Sequence, residues 1–153
     1  MVSRGAAEQA RAIVDAASYL TLATADADGR PWASPVWFAT ADRRELVWVS
    51  HPDARHSRNI AARPEVGIVI FDSTQAPGTG AGVYIEARAE KVPRDAFERC
   101  LAVYAGRSVR DGLEPWSEDD VRGPARHRLY RAVATAHWVL GALDERIAVD
   151  IGA

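Results

Sequence analysis

Short runs of alternating apolar residues, separated by turn-forming residues, limit most strongly how this chain can fold. The first run covers residues 19–25, and Asp26–Gly29 after it has the side chains and the glycine of a tight turn. A second extended run covers 31–39, and a third, with strict alternation at its centre, covers 45–50. Because the connections are short, we expect three antiparallel strands that follow one another as a meander.

The rest of the chain has further extended runs and short helical segments. Strands are predicted at 66–71, 83–92, 127–139 and 147–149. Helices are predicted at 3–17 with Ser3 as a cap, at 54–63 before Pro64, and at about 96–105. The charged stretch 106–124 is expected to be a surface excursion with one helical turn after Ser117. This order predicts one mainly β (α+β) domain over 1–153, a barrel or strongly curved sheet of six or seven antiparallel strands with peripheral helices.

Charge and composition narrow the expected partners. The chain of 153 residues has 19 Lys and Arg against 21 Asp and Glu, a net charge of -2. This balance removes the electrostatic reason to expect nucleic acid or an anionic membrane as the main partner. The sequence contains neither an apolar run near 18 residues nor the pattern of a secretion signal at its start. Since Cys100 is the lone cysteine, we expect a cytoplasmic protein without disulfides.

Familiar catalytic and metal-binding motifs are absent from the sequence. The four histidines are scattered without ligand spacing, so no protein-borne metal site is predicted. The glycine-rich run Gly78–Gly82 invites a dinucleotide-binding interpretation, but its third glycine comes one residue early and no helix follows. We therefore interpret this run as a flexible turn between two strands.

One local constellation predicts an anion site. Ser50 ends the third predicted strand, and Arg55, His56 and Ser57 fall in the first turn of the helix that follows. Free backbone N–H groups, the helix dipole and a guanidinium converge there, which is the donor set that binds phosphate. The alternative is a helix whose basic residues simply lie in water, although like charges at a helix N-terminus are mildly unfavourable.

A second feature is the aromatic strand Trp32–Phe38, predicted to pair with the strand that ends at Ser50. Such a strand offers backbone donors and acceptors beside apolar surface, which a flat heteroaromatic ring requires. The alternative is that Trp37 and Trp48 belong to an ordinary barrel core, and for Trp48 we favour that interpretation.

An ordered set of short motifs between Tyr19 and Val92, about half of the chain, resembles the flavin-binding split-barrel family of pyridoxamine 5'-phosphate oxidase-like proteins. The motifs are Gly29-x-Pro31, Ser34–Trp37, Val47–Ser50, Arg55-His56-x-x-Asn59-Ile60 and Arg63-Pro64-x-Val66, and the later Arg128–Arg131 and His137–Val139 resemble the closing strands. The resemblance implies a six-stranded split barrel and a homodimer that binds FMN at its interface. Five tryptophans in so small a barrel also favour a dimer.

The resemblance also implies roles for individual residues. The isoalloxazine ring would lie along Ser34, Pro35, Val36 and Trp37, held largely through main-chain contacts. Val49 and Ser50 would lie near the ribityl chain and phosphate, with Arg55 and His56 as the phosphate clamp; the family often has Lys at the position of His56. Gly82 falls where a family member can place Gln against the flavin, and Gln75 is the candidate substitute. Trp138 is a candidate for packing on the partner subunit's flavin, with a plain core position as the alternative.

Two departures bear on the substrate that the resemblance implies. Oxidases of pyridoxamine phosphate carry Lys at the end of the second strand, where this chain has Ala39, and their Arg-x-His motif is matched only loosely by Arg126-His127-Arg128. The vitamin substrate is therefore not supported. We expect an FMN-dependent oxidoreductase that transfers hydride to or from a small-molecule redox substrate, with no acid or base assigned. The alternatives are a deazaflavin-dependent reductase and a non-catalytic flavin-binding or sensor protein.

Overall fold

A seven-stranded antiparallel sheet forms the centre of the computed structural model, which describes residues 4–152. The strands are β1 (Tyr19–Ala25), β2 (Pro31–Trp37), β3 (Glu45–Ser50), β4 (Glu65–Phe71), β5 (Gly82–Lys91), β6 (Arg128–Leu140) and β7 (Arg146–Val149). The helices are α1 (Arg4–Ala16), α2 (Arg55–Ala62) and α3 (Phe97–Arg110), with 3-10 turns at Arg94–Ala96 and Glu118–Asp120. The expected mainly β class with peripheral helices is confirmed, with seven strands.

The sheet curls into a barrel that stays open along one line. Its strand order is β2-β1-β4-β5-β6-β3, and β7 adds to β6. The two edge strands meet at a single bridge, in which Ala39 donates to Val47 at 2.9 Å and Val47 donates back at 2.8 Å. The fold is therefore a split barrel, since β2 and β3 separate beyond this bridge.

The hairpin of β1 and β2 forms as the sequence predicts. The Asp26 carboxylate accepts the backbone N–H groups of Asp28 and Arg30, each at 2.9 Å. Gly29 has a φ of +84°, a left-handed conformation that suits glycine best. Local turn chemistry thus fixes the register of this pair, from Tyr19 opposite Trp37 to Ala25 opposite Pro31.

The predicted meander is wrong at its third strand. β3 pairs along its whole length with β6, from Glu45 opposite Val133 to Ser50 opposite Arg128. This pairing places Leu46 and Trp48 in the barrel interior, where both are fully buried. Burial of that apolar face outweighs the short connection to β2, and β2 therefore keeps one edge largely unpaired.

Two apolar cores lie on the two sides of the sheet. The barrel interior holds the larger one, and Ala6, Ala10 and Val14 of α1 pack onto it. The second lies outside the barrel, where Phe97, Cys100 and Tyr104 of α3 pack with neighbouring strand residues. The helices therefore cover surface that the open sheet alone would expose.

Helix bounds follow the expectations closely at α1 and α2, and less so at α3. The proposed cap Ser3 lies outside the described residues. α3 continues through Gly106 to Arg110, so the surface excursion begins later than expected. The helical turn after Ser117 is confirmed, with a capping box between Ser117 and Asp120. None of the helices formed by residues 4–152 is long and apolar enough to span a bilayer.

Candidate functional site

The split between β2 and β3 presents free backbone groups. Phe38 donates to Ser18 on the β1 side, whereas Ala39 exchanges hydrogen bonds with Val47 on the β3 side. Because backbone groups of successive residues in a strand point to opposite edges, Pro35 and Trp37 direct theirs into the split. The same alternation turns the backbone of Val49 toward β2. Main-chain donors and acceptors therefore line both sides of the opening.

Helix α2 begins at the open end of this split. β3 ends at Ser50, and a turn in which Ala54 donates to His51 at 3.0 Å leads into the helix. The Asn59 side-chain amide donates to the Thr24 hydroxyl at 3.0 Å, and both residues are buried. This bond ties α2 to β1 and so fixes the position of the first helical turn.

Ser50 and His56 form a hydrogen-bonded pair at the first turn of α2. The Ser50 hydroxyl lies 2.8 Å from His56 Nε2, with Ser50 buried and His56 half-buried. Burial lowers the pKa of His56, so its imidazole is neutral near pH 7 and offers one N–H donor. The pair can therefore offer a donor to an anion without adding a full charge at neutral pH.

Arg55 supplies a full charge beside this pair. Its guanidinium lies 4.3 Å from the ring centroid of Trp32, which is 42% exposed. Arg55 forms no ion pair with any of residues 4–152. The helix also lacks a side-chain cap at Ala54 and has no acidic residue in its first turn.

This donor set fits the phosphate of a nucleotide-like cofactor. A helix N-terminus with two basic residues and neither a cap nor an acid gains stability when an anion binds its N–H groups. The structure brings Ser50 and His56 into contact, with Arg55 next to His56 in the chain, and the role of these residues in holding a phosphate stays a prediction. No group of three or more His, Cys, Asp or Glu among residues 4–152 could hold a metal ion.

The side chains of the predicted ring-binding segment of β2 divide between the two faces of the strand. Val36 is buried in the barrel, and Ser34 is half-buried on the same face. The Trp37 ring packs outside, edge-on against Tyr104 of α3 at 5.1 Å. Only the backbone of Trp37 therefore faces the split between β2 and β3. Trp48 lies in the barrel core, as the sequence analysis favoured.

Gln75 and Gly82 lie together in another part of the fold. The Gln75 side-chain oxygen accepts the N–H of Ala81 at 2.7 Å, which braces the loop between β4 and β5. Both residues line a cavity of about 400 Å³. Among residues 4–152, no hydrogen bond joins this loop to the group at Ser50, Arg55 and His56. The bracing role of Gln75 leaves its amide nitrogen as the group free to meet a ligand.

Trp138 lies half-buried on the outer face of the barrel. It stands in register with Tyr84 of β5 and Ala148 of β7, while its neighbours His137 and Val139 are buried within. Contact with a flavin held by another subunit stays a prediction, and the outward position is compatible with it.

Two contacts that shape the site were not anticipated from the sequence. One is the Trp32–Arg55 stack, and the other is the Asn59–Thr24 hydrogen bond. The only local signal for the second was a polar Asn59 next to the apolar Ile60 in the predicted helix. Its partner is 35 residues away, and a single sequence gives no indication of such a pairing.

Comparison with known proteins places the chain in a family. A sequence model described as pyridoxamine 5'-phosphate oxidase matches residues 6–136. The pyridoxine/pyridoxamine 5'-phosphate oxidase of Xanthomonas oryzae pv. oryzae is 32% identical over 101 residues, covering 66% of this chain and 49% of that protein. The chain thus spans about half the length of the curated relatives it matches.

Solved structures share the fold. A heme-binding protein of Mycobacterium smegmatis has a TM-score of 0.75 at 22% identity, covering 97% of this chain and 59% of that chain. An FAD-binding protein from Mesorhizobium loti has a TM-score of 0.66 at 20% identity, covering 86% and 91%. These identities show the fold alone. The match of the family to most of the sequence is the stronger finding, and by it this chain belongs to the pyridoxamine 5'-phosphate oxidase family.

Proposed function

We propose that the protein is an FMN-dependent oxidoreductase whose cofactor lies in the split between β2 and β3. The observation that carries this proposal is the uncapped first turn of α2, which has no acidic residue and where the Ser50 hydroxyl lies against His56, next to Arg55. The family membership supports a flavin over other anionic ligands.

Each part of the site has a distinct task in this proposal. Arg55 and the first-turn N–H groups would hold the phosphate, with Ser50 and His56 adding donors. The backbone groups of Pro35, Trp37 and Val49 would orient the ring, and Pro35, lacking an N–H, offers only its carbonyl oxygen. A bound flavin supplies hydride acceptance and donation at its N5 atom, and the protein provides position and exclusion of water.

Ala39 argues against pyridoxamine phosphate as the substrate. It occupies the position where oxidases of that vitamer carry Lys, and here it is fully buried within the bridge to Val47. A buried methyl group cannot bind a substrate phosphate. We therefore propose a different small-molecule redox substrate.

The first test is the visible spectrum of the purified protein, followed by FMN titration. We expect flavin absorbance, or saturable binding of added FMN with quenching of its fluorescence. Arg55→Ala should weaken binding by about tenfold to a hundredfold, because it removes charge-assisted hydrogen bonds to the phosphate. Arg110→Ala removes the same charge from an exposed position at the end of α3 and should leave the affinity unchanged.

Other outcomes identify the alternatives. Preferential binding of a deazaflavin in a competition titration would replace FMN with that cofactor, and an intense heme absorbance band would replace the flavin altogether. Flavin that binds tightly yet is never reduced by a nicotinamide donor would favour a binding or sensor protein. A colourless protein that ignores added FMN would contradict the proposal.

A further inference from the structure

A second cavity lies on another side of α2, between that helix and the adjoining parts of β5 and β6. Its volume is about 700 Å³, within the range of small-molecule sites. Arg55 and His56 do not line it. The residues that line it include Ser57, Arg58 and Tyr130. The cavity is therefore distinct from the proposed phosphate-binding residues Arg55 and His56.

Two buried hydroxyl groups belong to the lining of this cavity. Ser57 is 2% exposed and Tyr130 is 4% exposed. Burial raises the pKa of Tyr130, and the adjacent Ser57 hydroxyl partly opposes that rise. By distance and angle Ser57 Oγ forms no hydrogen bond with any of residues 4–152, although it lies close enough to the Tyr130 hydroxyl to affect its pKa. A buried hydroxyl left without a full partner is costly to the folded state.

The lining carries more free positive charge than negative charge. Arg88 and Glu90 are each paired with an oppositely charged residue on a neighbouring strand. Arg58 and Lys91 form no ion pair with any of residues 4–152. The cavity lining therefore includes two cations, Arg58 and Lys91, that have no ion-pair partner among residues 4–152.

Apolar side chains complete the walls. The same cavity is lined by Ile60 and Ala61 in α2, by Pro64 just after that helix, and by Val133 in β6. Such walls favour a ligand with a compact hydrocarbon or aromatic body over a bare inorganic ion.

We propose that this cavity binds a small organic anion, with its phosphate or carboxylate between Arg58 and Lys91. Its body lies against Ile60, Ala61 and Val133. The site is separate from the cofactor site, and the proposal does not depend on FMN binding.

The test is an NMR titration of the full-length protein with phenyl phosphate, benzoate, inorganic phosphate and uncharged benzyl alcohol. We expect saturable shifts of the Ala89, Glu90 and Lys91 amides, all on the β5 wall of the cavity, with the two aromatic anions. Inorganic phosphate should bind several-fold more weakly, and benzyl alcohol should not saturate. Equal binding of inorganic phosphate and phenyl phosphate, or saturation by benzyl alcohol, would overturn the proposal.

Variants separate binding from folding. Arg58→Ala and Lys91→Ala should each weaken phenyl phosphate binding by about tenfold, the loss of one charge-assisted contact. Binding that these variants leave unchanged would refute the site.

Arg55→Ala distinguishes this cavity from the cofactor site. It disables the proposed phosphate clamp for FMN, so phenyl phosphate should still shift the same three amides in that variant. If the shifts instead disappear in Arg55→Ala, the anion binds at the clamp and the proposal of a second site is wrong.

Discussion

At the scale of single residues, His56 is the departure of most consequence, since the family often has Lys at this position. Burial lowers the pKa of its imidazole in the free protein. A phosphate dianion nearby favours the imidazolium and so raises that pKa in the complex. Binding of FMN then takes up a proton, and affinity must increase as the pH falls toward the pKa of the complex.

His56→Lys tests this linkage directly. We expect the native protein to bind FMN more tightly at pH 6.5 than at pH 8.5, whereas the lysine variant keeps its charge and shows a flatter profile. At pH 8.5 the variant should bind about tenfold more tightly. His127→Lys, a change at an exposed histidine that packs against Trp116, is the control and should retain the native profile. A native pH profile in His56→Lys would exclude His56 as its source.

At the scale of elements, the sequence predicts those structural features that depend on residues close together in the chain. The hairpin of β1 and β2 and the cluster of Ser50, Arg55 and His56 are local, and turn chemistry and helix-start signals were sufficient for both. The pairing of β3 with β6 joins residues about 80 positions apart. The alternation of apolar and polar residues predicts a strand but does not predict which other strand it pairs with. The extension of α3 through Gly106 was missed because a mid-helix glycine costs up to about 1 kcal/mol. Here packing of Tyr104 and the hydrogen bond from the buried Ser108 hydroxyl to the Tyr104 carbonyl oxygen offset that cost.

The attachment of α2 to β1 gives a prediction at the same scale. Asn59→Ala leaves the buried Thr24 hydroxyl without its donor and should lower the free energy of unfolding by about 1–3 kcal/mol. FMN affinity should fall too, because the first turn of α2 loses its anchor. Urea unfolding of Asn59→Ala, Thr24→Ala and the double variant measures the coupling between the two residues. Additive losses in the double variant would show that the hydrogen bond does not stabilise this contact.

At the scale of the whole molecule, the barrel leaves large apolar side chains outside. Tyr19 is 60% exposed and Phe71 is 54% exposed, and Trp138 is half-buried on the outer face. We propose a homodimer in which each flavin contacts both chains, supported by this exposed apolar surface and by the family resemblance. If each flavin site contains residues of both chains, two different defective variants can together form one intact site. A dimer whose sites each lie within one chain would not show this complementation.

Arg55→Ala and Trp138→Ala chains, mixed and reassembled, provide that test. Each variant alone should form dimers by sedimentation at about 10 µM while binding FMN weakly, since every site in it is defective. In a randomly exchanged mixture half of the dimers contain one chain of each kind, and each of these has one intact site, so about a quarter of all sites should recover native affinity. Mixing Arg55→Ala with Arg55→Ala/Trp138→Ala chains should restore none. Recovery that fails in the first mixture, or a protein that sediments only as a monomer, would place the whole site within one chain.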